Sequence, residues 1–252
     1  MALSFGANAS VYDRLRPGYP AAALDWALDG AAAGAVLDLG AGTGRLTAEL
    51  AGRGLDVVAV EPDPQMRAVL AARLPAVTVS SGFAEDLPLA DGSLDAVFVG
   101  QAFHWFRRPD ADYEIARVLR PGGLVAVLTN VNPACADFEA VLHQRVLGVS
   151  QPSLARGGLG LASDAFAPSR ETLVDNPQRL SRADFLRLPS TWSWVATAAP
   201  DARARLAVEA SRLADEIASP DGYVTMPYAT RVVTSRVSAG YRGGRAGAPP
   251  TR

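Results

Sequence analysis

Three short runs in this chain have residue types and spacings that suit ligand chemistry. The first is Asp38-Leu39-Gly40-Ala41-Gly42-Thr43-Gly44. A glycine-rich turn lets the main chain approach a ligand closely, and N–H groups at the start of the next helix favour polar or negative ligand groups. The pattern is G-x-G-x-G behind an acid. A dinucleotide fingerprint would need glycine where Arg45 stands, and no G-K-[ST] follows to make a phosphate loop. The second run centres on Glu61, about 20 residues beyond the first glycine, where a carboxylate can accept hydrogen bonds from both hydroxyls of a ribose. The third is Gln101-Ala102-Phe103-His104-Trp105-Phe106. An imidazole with an ordinary pKa suits a general base, and His104 can equally be a hydrogen-bonded pocket wall. Taken singly, the glycine run reads as a tight turn, Glu61 as a helix N-terminal charge and Trp105 as a wall.

These residues need elements to hold them, and the hydrophobic pattern supplies them. Ala35–Leu39, Leu55–Val60, Val77–Val79, Leu94–Val99 and Leu124–Thr129 read as short apolar strands. Between them lie helical stretches from Arg45 to Arg53, through Met66 to Leu74 with Pro75 as a stop, and from a cap at Asp110 to Leu119. Strands alternating with helices imply parallel pairing through right-handed crossovers. Near-continuous apolar strands imply helices on both faces. Residues 35–130 therefore predict a doubly wound, Rossmann-like α/β sheet.

Beyond that core the pattern predicts a helix over 133–147, a Gly/Pro/Ser-rich loop or lid over 148–169, and a strand at Thr172–Val174. Helices follow over 181–188 and 201–218, the second with Leu206, Leu213 and Ile217 on one side. Alternation over Tyr223–Val237 predicts one long strand, with Pro227 suited to an edge or bulge. Residues 1–239 read as a single domain and 240–252 as a disordered tail. After Asp221 there are five Arg and no acid, read as a solvated tail and not a nucleic-acid arm.

Composition sets the remaining bounds. A chain of 252 residues with 49% hydrophobic and 20% charged residues is globular in profile. All of its 24 basic residues are Arg, against 26 acids, which leaves a net charge of −2. That balance argues against electrostatic nucleic-acid binding. One cysteine and two histidines cannot supply an N/S metal site of four ligands. Neither a leader pattern nor an apolar run of membrane-spanning length is present, so no membrane association and a cytoplasmic location are expected. No G-x-S-x-G elbow supports a hydrolase.

Four motifs in order carry a family resemblance. Val36 to Gly44 and Val58 to Met66 resemble the first two motifs of class I S-adenosylmethionine-dependent methyltransferases. Gly82-Phe83-Ala84-Glu85-Asp86-Leu87-Pro88-Leu89 resembles the third, and Leu119-Arg120-Pro121-Gly122-Gly123 the loop before the fifth strand. Tyr12 to Pro20 and Gln101 to Phe106 are similar to the small-molecule, trans-aconitate methyltransferase-like branch.

The resemblance implies a seven-stranded sheet with its last strand antiparallel, S-adenosyl-L-methionine as cofactor and a small-molecule methyl acceptor. It implies that Gly40, Ala41 and Gly42 pass under the methionine part of the cofactor, with Asp38 ordering the turn and the ammonium. Glu61 would hold the ribose, Pro62, Asp63 and Met66 would border the adenine, and Ala84 and Glu85 would meet its edge. Phe83 departs from the family, which often carries Asp there. Gln101 and Ala102 would close the sulfonium side. Tyr12, Arg16 and Tyr19 lie on a segment that folds over the cofactor in such proteins; ordinary packing is their plainer reading. Trp105 and Tyr228 are candidates for the acceptor side, together with Trp192, Trp194 and Tyr223. A catalytically silent cofactor-binding regulator and a nicotinamide oxidoreductase are the alternative functions, the latter opposed by Arg45.

Overall fold

The computed structural model describes residues 15–28, 34–131, 138–148, 160–161 and 164–241. Tyr12, part of the 148–169 stretch and the tail beyond Tyr241 lie outside the described residues.

Five apolar runs become strands β1 (Ala35–Leu39), β2 (Asp56–Val60), β3 (Thr78–Ser80), β4 (Leu94–Gly100) and β5 (Leu119–Val131). They alternate with helices α1 (Ala21–Leu28), which precedes β1, α2 (Arg45–Ala51), α3 (Pro64–Arg73) and α4 (Asp110–Val118). The start of α3 follows from its residues. Asp63 accepts from the main-chain N–H groups of Gln65 and Met66, and Pro64 takes a first-turn position where its missing N–H is harmless. Asp110 differs from expectation. It is the first residue inside α4, behind Pro109, and makes no side-chain cap.

The later chain adds α5 (Phe138–Leu147), β6 (Arg170–Asp175), β7 (Gln178–Ser181), α6 (Arg182–Arg187), α7 (Ser193–Thr197), α8 (Pro200–Ile217), β8 (Tyr223–Met226) and β9 (Ala229–Arg236). The main sheet has seven strands in the order β3-β2-β1-β4-β5-β9-β6. β1 to β5 pair in parallel, and the final strand β9 lies antiparallel between β5 and β6. The predicted 223–237 strand is broken in two. Pro227 cannot donate to a ladder, so β8 ends at Met226 and pairs with β7 as a separate two-stranded sheet.

Because side chains alternate along a strand, the two sheet faces have separate cores. Val97 and Val99 of β4 pack with Leu37, Val125 and Ile115 on one face. Ala96 and Phe98 pack with Val36, Leu24 and Leu50 on the other. A third cluster joins α5, α6 and α8 to the small sheet, with Phe185, Leu188 and Leu206 at its centre and Leu15 packed in. The described end of the expected lid is not loose. Ala165 and Phe166 are buried, Phe166 bridges Val237, and Ala167 N–H donates to the Arg236 carbonyl at 2.9 Å. Among the described residues no helix is long and apolar enough to cross a membrane.

Candidate functional site

The strand order reverses between β1 and β4, and in open α/β sheets the crevice beyond the carboxyl ends at such a point takes ligands. The glycine turn after β1 sits in that crevice, with Gly40, Gly42 and Gly44 at φ 71°, 57° and 84°. The three glycines are needed for different reasons. A Cβ at Gly40 would lie 2.6 Å from the Ala102 methyl, and one at Gly44 would lie 2.8 Å from Leu70. At Gly42 the nearest neighbour is the Met66 sulfur, 3.6 Å away, so the protein itself leaves room there. Gly40 and Gly44 serve packing, whereas Gly42 faces space. Ala41 N–H and Gly40 N–H both donate to the Val60 carbonyl, at 3.1 and 2.8 Å, which ties the turn to the end of β2.

Two buried carboxylates flank the turn. Glu61 accepts from Gly42 N–H at 2.9 Å and from Asp63 N–H at 2.8 Å, one bond to each oxygen. A carboxylate offers about four lone-pair sites, so both oxygens can accept again. Burial raises the Glu61 pKa above its usual value. Asp38 is 1% exposed and takes one side-chain bond, from the Thr47 hydroxyl at 2.6 Å. Among the described residues its other oxygen, Oδ1, is buried without a hydrogen-bond partner. Burial, with a smaller contribution from the Glu61 charge, pushes Asp38 up to about 7. An unpartnered buried acceptor is a strong demand for a donor or a cation.

The floor at the end of β2 is firmly built. Asp63 is buried and caps α3, and Arg67 donates to the carbonyls of Glu61 and Pro62 at 2.8 and 2.7 Å. Met66 is buried beside the turn. After β3, Ala84 lies in the core, while Phe83 is 60% exposed. Glu85 accepts from Arg107 N–H at 2.6 Å, joining the loops that follow β3 and β4.

The end of β4 holds Gln101 at φ 55°, a conformation a non-glycine residue rarely adopts. Its N–H donates to the Leu128 carbonyl at 3.0 Å, and its side-chain Nε2 donates to the Asn130 carbonyl at 3.2 Å. A short 3-10 turn, Phe103–Trp105, follows. His104 keeps an exposed face, and the protein around the rest of its ring holds the imidazole below its ordinary pKa by desolvation. Its ring centre lies 4.8 Å from that of the exposed Trp105.

The N-terminal segment crosses beside this wall. The Tyr19 hydroxyl fills the place of a Cβ at Gly100, 2.5 Å from where that atom would stand. Arg16 reaches the other way and donates to the Thr191 carbonyl at 3.4 Å. On that side Trp192 and Trp194 stack with centroids 6.1 Å apart, His143 meets Trp194 edge-on at 5.0 Å, and Tyr228 packs against the same cluster. Tyr223 is exposed under Arg179, 4.0 Å from its ring centre. The structure thus gathers Asp38, Gly42, Glu61, Met66 and Gln101 at the strand ends and sets Arg16 and Tyr228 with the third cluster.

Sequence reasoning missed Thr47, Asn130, Asn176 and Thr230. Thr47 lies one helical turn beyond the glycines, so a search for Asp38 partners in the first turn of α2 would have found it. Asn130 and Asn176 stand at and just beyond strand ends, a position that the rule for open sheets marks for attention.

Residues 37–127 match a family model described as a methyltransferase domain. An uncharacterised methyltransferase of Mycobacterium tuberculosis is 55% identical over 130 residues, which cover 52% of this chain and 53% of that protein. A demethylmenaquinone methyltransferase of Beutenbergia cavernae is 36% identical over 152 residues, 60% of this chain and 62% of its own. The chain spans about half the length of the curated relatives it matches first. A structure assigned provisionally to a type II methyltransferase of Anaeromyxobacter dehalogenans superposes with a TM-score of 0.60 at 26% identity, over 88% of this chain and 97% of that one. A Haemonchus contortus phosphoethanolamine N-methyltransferase, solved with S-adenosylhomocysteine, shares the fold at a TM-score of 0.51 and 17% identity, over 92% of this chain and 57% of that one.

Proposed function

We propose that the protein, whose residues 37–127 match the methyltransferase domain family, is a class I S-adenosylmethionine-dependent enzyme that transfers a methyl group from S-adenosyl-L-methionine to a small-molecule acceptor. The observation that carries the reading is Asp38 Oδ1, a buried acceptor without a partner at the glycine turn. The ammonium of the cofactor is a donor of the right kind for it. Glu61 retains lone pairs for ribose hydroxyls, and Gly42 leaves open the space that a Cβ would fill. The residues present therefore fit the group.

S-adenosylmethionine supplies an electrophilic methyl on a sulfonium. The protein's part is to orient and enclose: well-oriented reactants gain on the order of 7–11 kcal/mol over free encounter. In this reading Gly40, Ala41 and Gly42 run under the methionine part, Glu61 holds the ribose, and Pro62, Asp63 and Met66 border the adenine. Ala84 and Glu85 meet the adenine edge, Gln101 and Ala102 close the sulfonium side, and Tyr12, Arg16 and Tyr19 belong to the covering segment. His104, whose pKa desolvation lowers, is the base in this reading for an acceptor that must lose a proton.

The exposed Trp105 beside His104 favours an acceptor with an apolar or aromatic body, with Trp192, Trp194 and Tyr228 of the third cluster as further candidates, and a demethylmenaquinone methyltransferase stands among the relatives. A soluble, cytoplasmic protein acting without nucleic acid is part of the same reading. Calorimetry with S-adenosylmethionine, followed by a mass-spectrometric screen of quinones, phenols and carboxylic acids for added methyl groups, tests it. Binding with turnover is expected; binding without turnover on any class would favour a silent regulator, and no binding would sink the reading.

A further inference from the structure

The N-terminal segment is held to the sheet by a polar cluster of Asn130, Asn176 and Thr230, none of which the reading above puts on the cofactor. Asn130, near the end of β5, donates from Nδ2 to the carbonyls of Pro17 and Gly18 at 3.2 and 3.0 Å. Its Oδ1 accepts from the Thr230 hydroxyl at 2.6 Å and from Asn176 Nδ2 at 3.2 Å. Asn176 Nδ2 also reaches the Gly18 carbonyl at 2.9 Å. The carbonyls of Pro17 and Gly18 can only accept, so Nδ2 must face the segment, and Oδ1 then takes the bonds from Asn176 and the fully buried Thr230. On its main chain, the Asn130 carbonyl takes the bond from Gln101 Nε2.

We propose that Asn130 is a positioning residue that fixes the N-terminal segment and the Gln101 wall as one unit across the cofactor site; the inference rests on the methyltransferase reading above. Two observations support this over a packing role alone. Gln101 sits at a backbone conformation that persists only where surroundings hold it, and Asn130 is one of its two anchors. The segment in turn carries Tyr19, whose hydroxyl occupies the side-chain space of Gly100, the residue before Gln101. Displacing the Gly18 carbonyl would move Tyr19 off that junction, so both walls would shift together.

The test is S-adenosylhomocysteine affinity by calorimetry for the whole chain, alongside its melting temperature. Asn130→Asp keeps the shape and the bond from Thr230, but turns an acceptor toward the Pro17 and Gly18 carbonyls. It should weaken S-adenosylhomocysteine about tenfold near pH 8, the worth of a lost hydrogen bond or two. Its deficit relative to wild type should shrink as pH falls and the new carboxyl regains a proton to donate, a recovery that a merely damaged fold would not show. Thr230→Val, which removes one of the two donors to Asn130 Oδ1, should cost about threefold with the melting temperature little changed. This second variant carries the test if the first does not fold. Affinity within about twofold of wild type in a folded variant, or a deficit independent of pH, would overturn the positioning role. Loss of binding in the wild type would overturn the methyltransferase reading and this inference with it.

Discussion

The half that carries the glycine turn and the half that follows it are built on opposite principles. In residues 35–131 the site is made at strand ends, by a turn whose parts lie within a few residues of one another: Asp38, three glycines and Thr47. In residues 138–226 the aromatic groups are brought together by helices and a small sheet that pack through a separate cluster. The first arrangement depends on backbone conformation at single positions. The second depends on packed volume. A substitution in the first half should therefore affect ligand before fold, and one in the second should affect fold first.

The largest effect that would break this contrast is at the turn. Gly42→Val should abolish S-adenosylhomocysteine binding in a protein that still folds. A β-branched residue is disfavoured at φ 57°, and its side chain would enter the space that the protein leaves open. Circular dichroism with calorimetry reads both; wild-type affinity in the folded variant would refute the placement of the cofactor. Gly40→Ala sharpens the same point. It should lower the melting temperature more than Gly42→Ala does, because its Cβ meets the Ala102 methyl.

In the second half, Phe185→Ala removes a fully buried ring from the third cluster. Urea denaturation should show a loss of about 3–5 kcal/mol, while the molecules that remain folded bind S-adenosylhomocysteine as wild type does. A large drop in their affinity would mean that the two halves are not separable in this way.

Glu61→Ala should weaken the cofactor by roughly 1.5–3 kcal/mol, the worth of hydrogen bonds to a charged group. Part of that loss would arise from freeing Gly42 N–H and Asp63 N–H. A calorimetric loss below about 0.5 kcal/mol would mark Glu61 as a structural acid alone.

The subtlest expectation concerns pH. Asp38 keeps its proton in the folded protein up to about pH 7, whereas the unfolded chain releases it near 3.8. The folded state binds more protons across that window, so this group's contribution to unliganded stability falls as pH rises from about 4 through about 7. Asp38→Asn should flatten that slope in denaturant titrations, by about 1–3 kcal/mol at the alkaline end after its own unpartnered amide is counted. Cofactor affinity in the wild type should move the opposite way and weaken as pH falls below about 7, because a neutral carboxyl loses its attraction for an ammonium. A flat affinity profile between pH 5 and pH 8, in about equal steps, would detach Asp38 from the ligand.

The parallel strands, the turn between β1 and α2 and the acid after β2 were legible because each depends on neighbours in the chain. Apolar runs mark strands, glycine permits positive φ, and Asp63-Pro64 starts a helix wherever it stands. The 223–237 strand was misread as one piece because alternation alone cannot say which sheet a segment joins. Pro227 marked the irregularity, but only the pairing of β8 with β7 and of β9 with β5 and β6 shows that it separates two sheets.

By itself, then, the sequence determined the α/β core, its order along the chain and the place of the glycine turn after β1, since dihedral preference and hydrophobic period act over a few residues. Tertiary structure decided which glycine faces open space and left Asp38 Oδ1 buried without a partner. It also decided that the Gly18 carbonyl meets Asn130, a residue 112 positions away. Burial and hydrogen-bond partnership depend on which distant strands become neighbours, and only the folded sheet determines that.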